Sequence, residues 1–166
     1  DVNMGCPKKF STANRMGATL MTDTDRAIKI LNAMKAAAPD VPLSFKTRVF
    51  DDKAESVHHL STILRAVNVH SVTLHSRTRE MRNEQAPLYE HAAEIIAEVK
   101  KEFPEICFSL NGSMGCSGLH HLSGESRDAA QRAKASLVKK HQDEEKAAGV
   151  EPTPLVVAST WRRQPH

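Results

Sequence analysis

The chain has 166 residues, of which 40% are hydrophobic and 26% charged, with a formal net charge of +3; that balance fits a globular domain able to bury a core. No apolar run approaches the roughly 20 residues of a membrane span, the first residues carry no charged-then-apolar secretory pattern, and so mild a charge does not by itself declare a nucleic-acid partner. Three cysteines at unrelated spacings make no disulfide framework, so the expected compartment is reducing, and cytoplasmic.

The first residues, DVNMGCPKKFS, read as the tail of a strand at Val2-Asn3, followed by a turn that sets Cys6 between Gly5 and Pro7. The first helix carries Ala27, Ile30, Leu31 and Met34 at helical spacing, after a Thr22-Asp23-Thr24-Asp25 start signal and before Pro39. A strand over 43–48 follows, LSFKTR, and then a helix opened by Asp51-Asp52 with Val57, Leu60, Leu64 and Val67 on one stripe. The next strand is VTLHSR, 72–77, after which come the basic residues Arg79 and Arg82. A third helix, entered through Pro87 and stopped near Pro104, carries Leu88, Ala92, Ile95, Ile96 and Val99. It leads to a strand ICFSLN, 106–111, and the Asn111-Gly112 turn. Beyond 113 the pattern changes to a divergent tail, 114–166. It holds a polar helix over about 126–148 with a thin seam of Ala130, Ala133 and Leu137, and a weak last strand at 155–159.

Strands alternating with helices predict an α/β fold with a parallel sheet. Within each strand the side chains alternate, so Leu43 and Phe45 share one face while Lys46 and Arg48 share the other. Val72 and Leu74 likewise oppose Thr73, His75 and Arg77, and Ile106, Phe108 and Leu110 oppose Cys107, Ser109 and Asn111. A doubly wound sheet, covered on both faces, would read as continuous apolar runs. One apolar and one polar face, with polar groups gathering at the C-terminal ends, instead favours part of a (β/α)₈ TIM barrel. With four or five strands in view, the expectation is its second half.

Asn3, Cys6, Lys46, Arg48, His75, Arg77 and Asn111 fall at or just beyond strand C-termini. Each has an ordinary alternative: a buried small thiol for Cys6, edge-strand charges for Lys46 and Arg48, a core histidine for His75, a plain turn at Asn111-Gly112. Their recurrence at equivalent positions argues for a site. The cluster of Arg77, Arg79 and Arg82 with Lys8 and Lys9 suits either a solvated surface or an RNA contact. No metal site is expected, because Cys116, His120 and His121 lack the partners of a four-ligand zinc set. NGSMGCSG is neither a Walker loop nor a dinucleotide fingerprint.

In order and spacing, NMGCPKKFS, MGATLMTD, FKTRV, LHSRTRE and LNGS resemble the flavin-dependent tRNA-dihydrouridine synthases, and CPKKFS is most similar to the eukaryotic branch acting at position 20 of the D-loop. The resemblance covers residues 1–113 and implies an FMN-binding TIM barrel that reduces the C5–C6 bond of a tRNA uridine with NADPH. It implies Cys6 as the general acid; Asn3, Lys46, His75, Asn111 and Gly112 as flavin contacts; and Arg48, Arg77 and Arg79 as substrate contacts. A thiol with a pKa of about 8.5 is protonated at neutral pH, as an acid must be. The sequence departs from the family where Asn14-Arg15 replaces a glycine-rich turn and where Ser113 replaces an acidic residue. Two further readings stay open: a non-catalytic fragment or pseudoenzyme with residual RNA binding, and a flavin barrel reductase acting on a small pyrimidine.

Overall fold

The computed structural model describes residues 1–112 and, beyond them, Lys139, Asp143 and Lys146 as exposed helical positions. Four short parallel strands form one sheet: β1 (Val2–Asn3), β2 (Ser44–Arg48), β3 (Ser71–His75) and β4 (Cys107–Asn111), in the order β1-β2-β3-β4. Three 14-residue helices connect them, α3 (Thr24–Ala37), α4 (Lys53–Ala66) and α5 (Tyr89–Glu102). Two shorter helices, α1 (Lys9–Ala13) and α2 (Thr19–Thr22), fill the loop after β1. No helix among the described residues is long and apolar enough to cross a membrane.

The start signals act as read. The Asp23 carboxylate accepts from the Arg26 amide at 3.3 Å and that of Asp52 from the Glu55 amide at 2.9 Å, each capping an otherwise orphaned donor. α5 has no side-chain cap; its entry is fixed from outside, by the Leu88 amide donating to the Ser76 carbonyl at 2.6 Å. Met34 and Leu88, expected on apolar stripes, are exposed. The short helices α1 and α2 were not anticipated, since five and four residues are too few for a period to register.

The strand order runs without reversal, so successive crossovers advance in one direction and lay α3, α4 and α5 on one face. Phe45, Val72, Leu74, Phe108 and Leu110 point to that face and pack with Leu31, Leu60, Ile63, Ile95 and Val99 in a single core. Each such side chain, removed from water, contributes roughly 1.5–3 kcal/mol. β2 and β3 are interior strands, so edge protection does not explain Lys46 and Arg48. The strand expected over 72–77 ends at His75, because the chain turns away where the Ser76 amide bonds to the Asn111 carbonyl at 2.8 Å; Arg77 therefore lies beyond the strand. Of the predicted tail, the helix over 126–148 is represented by Lys139, Asp143 and Lys146, while the strand at 155–159 lies outside the described residues, as do Cys116, His120 and His121.

Candidate functional site

Register decides which side chains become neighbours. Asn3 pairs with Lys46 and Lys46 with Thr73; Arg48 pairs with His75 and His75 with Asn111. Paired residues of a parallel sheet point to the same side, so Asn3, Lys46, Arg48, His75 and Asn111 all share the face opposite the helices. Arg48, His75 and Asn111 form its C-terminal row.

The loop after β1 carries Cys6 to this end. The side-chain oxygen of Asn3 accepts from the amides of Gly5 and Cys6 at 3.0 and 3.1 Å, an Asx-type turn that fixes the half-buried thiol. From the neighbouring strand, Arg48 Nε donates to the Gly5 carbonyl at 2.7 Å and its NH1 to the Thr78 carbonyl at 2.9 Å. Arg48 thus ties the cysteine loop to the loop after β3. Arg77, only 1% exposed, holds its own loop through Nε to the Gln85 carbonyl at 2.8 Å and NH2 to the Asn83 carbonyl at 3.1 Å. Two of the three arginines read from sequence as substrate contacts, Arg48 and Arg77, are therefore built into the walls of the site. Arg79, by contrast, is exposed.

Between them lies His75. Its Nδ1 is 3.5 Å from Lys46 Nζ and its Nε2 is 3.4 Å from Arg77 NH1. Burial lowers its pKa to about 3, reinforced by the positive charges of Lys46, Arg48 and Arg77 and opposed by a hydrogen bond to the Asn111 side chain. The imidazole is neutral at any physiological pH. Burial, with Arg48 alongside, also lowers the Lys46 ammonium to about 8, while Cys6 opposes the shift. No described carboxylate lies within ion-pair distance of Lys46 or Arg48. The result is an electropositive row of donors around one neutral ring, an environment matched to an anionic or electron-rich ligand.

Cys6 itself has a lowered pKa. The largest cause is the Ser11 hydroxyl, which donates to its sulfur at 3.3 Å. The Lys8 amide and the charges of Lys8 and Arg48 act in the same direction, and burial opposes them. Sequence reasoning missed Ser11, for five residues' separation from Cys6 is not a helical neighbour spacing. The altered turn at Asn14-Arg15 is accommodated by Arg15 taking a φ of 54°, and its guanidinium reaches Asp23 at 3.1 Å. At the far end, the Tyr89 hydroxyl donates to the Gly112 carbonyl.

A parallel α/β sheet that collects its polar groups at the C-terminal strand ends is a frame on which ligand sites are commonly built from loops. A family model described as dihydrouridine synthase (Dus) matches residues 1–120, and the chain belongs to that family. It is 33% identical over 121 residues to the tRNA-dihydrouridine(20) synthase (NAD(P)+) of Saccharomyces cerevisiae, a match covering 71% of this chain and 29% of that protein. The protein of the same name from Schizosaccharomyces pombe is 30% identical over 117 residues, covering 69% and 24%. The tRNA-dihydrouridine(47) synthase (NAD(P)(+)) of Lodderomyces elongisporus is 30% identical over 102 residues, covering 60% and 16%. In these three alignments the matched region spans less than a third of each relative.

Proposed function

We propose that this chain supplies the proton donor and part of the flavin pocket of a tRNA-dihydrouridine synthase, an NADPH-dependent oxidoreductase acting in the cytoplasm on a D-loop uridine, at position 20 by the resemblance of its CPKKFS segment. The observation that carries this reading is the Cys6 thiol, its loop held by Asn3 and Arg48 beside the polar cluster of Lys46, His75 and Asn111, in a segment matched by the family. The sequential order of four parallel strands, with α3, α4 and α5 on one face, supports reading the chain as a (β/α)₈ barrel segment, the fold on which the Dus family is built.

The donor set fits FMN. The anionic phosphate and the electron-rich edge of the ring call for cations and N–H donors without competing carboxylates, which Lys46, His75, Asn111 and the Gly112 backbone would supply. When bound, FMN supplies the hydride for uracil C6, renewed from NADPH. Lys46 stabilises negative charge electrostatically. The neutral ring of His75 accepts or donates a hydrogen bond without adding charge. Cys6 holds the proton destined for C5 on its sulfur, and Arg48 and Arg77 keep the two loops fixed around it. The exposed Arg79, with Lys8 and Lys9, faces solvent where a phosphate backbone would pass.

The test is single-turnover formation of dihydrouridine in tRNA by the flavin-loaded protein with Cys6→Ala. A fall of about 10²–10⁴-fold, the usual worth of a positioned acid, is expected while flavin remains bound. Product formed at the wild-type rate would refute the proton-donor role. Binding of RNA by a protein that turns over no uridine would instead favour the non-catalytic reading.

A further inference from the structure

We propose that Ser11 is a positioning residue for Cys6, its hydroxyl aiming the thiol and holding the thiolate left once the proton has gone. The inference rests on the proton-donor reading of Cys6 given above. Ser11 is the third residue of α1, is buried, and donates from Oγ to Cys6 Sγ at 3.3 Å. The adjacent Thr12 shows what a helical hydroxyl ordinarily does: it bonds back to the carbonyls of Lys8 and Lys9, both at 3.3 Å. Ser11 forgoes that bond and takes the sulfur.

The surrounding backbone enforces the choice. The Met16 amide donates to the Ser11 carbonyl at 2.9 Å, and the Ala18 amide donates to the Cys6 carbonyl at 2.9 Å. Gly17 sits between them with φ +59°, where a Cβ would lie 3.1 Å from the Cβ atoms of both Cys6 and Ser11. Only a residue lacking Cβ lets this strap close over the pair.

A neutral thiol is a weak acceptor, whereas a thiolate is a strong one. As the S–H bond breaks and the proton passes to C5, forming a C–H bond, the Ser11 O–H stays intact and its hydrogen bond to sulfur strengthens. Solvent returns the proton before the next turnover. The other groups facing the sulfur are the Lys8 amide and the cations of Lys8 and Arg48, all acting in the same direction, and Lys46 interacts with it electrostatically. Among the described residues, Ser11 is the one side chain that does so through a directed hydrogen bond.

The test is the pH dependence of Cys6 alkylation by iodoacetamide in the full chain, followed at the Cys6 peptide by mass spectrometry. Ser11→Ala moves the midpoint to higher pH, and Ser11→Thr, which keeps the hydroxyl, returns it toward wild type. Ser11→Val, isosteric with threonine but without the hydroxyl, behaves like alanine; this pair decides the matter if the alanine variant fails to fold. In the flavin-loaded protein, Ser11→Ala lowers kcat on the order of tenfold, the rate equivalent of one hydrogen bond of about 1.4 kcal/mol, leaves KM unchanged and moves the alkaline limb of the pH profile upward. A midpoint unchanged in Ser11→Ala, or equal in the Thr and Val variants, overturns the proposal. Undiminished activity of Cys6→Ala would sink the proton-donor reading alone, since alkylation reports on the Ser11–Cys6 contact without turnover.

Discussion

Replacing Gly17 by alanine asks whether the cysteine loop is held by backbone shape. The residue has φ +59°, and a Cβ there would lie 2.5 Å from the Cys6 carbonyl oxygen. A non-glycine residue in this left-handed region costs about 1–2 kcal/mol. The clash adds to it, because the neighbour is backbone and the carbonyl must move away from the Ala18 amide that bonds to it at 2.9 Å; losing that bond costs about 1 kcal/mol more. Together these give Gly17→Ala a destabilisation of about 2–4 kcal/mol. Gly17→Asn separates the contributions, because asparagine tolerates the left-handed conformation but retains the Cβ; it should fall between glycine and alanine. Equilibrium urea unfolding followed by circular dichroism gives the differences. An alanine variant within about 0.5 kcal/mol of wild type, the usual range for an inconsequential surface change, would refute the reasoning.

Acid lability has a definite source in His59. Its Nδ1 lies 3.0 Å from Thr24 Oγ1, its Nε2 is buried without a partner among the described residues, and burial lowers its pKa to about 4, with His58 adding to the shift. The unfolded chain binds this proton below about 6.5 while the folded chain does not. Stability is therefore full above that pH and falls by about 1.4 kcal/mol per unit down to pH 4. His59→Gln should flatten that slope in unfolding titrations, and an unchanged slope would acquit the residue. Tyr89→Phe should cost about 1–3 kcal/mol in thermal or urea unfolding, because the Gly112 carbonyl loses the buried hydroxyl that donates to it; a neutral effect would show that water or another donor takes over.

Much of the architecture was legible in sequence because it is written in local periods. Phe45, Val72, Leu74, Phe108 and Leu110 alternate with polar residues, and a two-residue period is enough to say which face meets the helices. Aspartates 23 and 52 announced their helices by the chemistry of capping alone. Clustering of Asn3, Lys46, His75 and Asn111 at one sheet end followed from counting positions from each strand's end. What no period encodes is register and loop closure. The row of Arg48, His75 and Asn111 exists because strands 27 or more residues apart align in one register. The arginines' commitment to the carbonyls of Gly5, Thr78, Asn83 and Gln85 depends on where three loops meet. So too with the thiol: its place in the chain put Cys6 at the mouth of the sheet, but its partner Ser11 and the glycine strap over both were decided only when a five-residue helix folded back on the loop, a contact set by tertiary packing and not by the spacing of like residues.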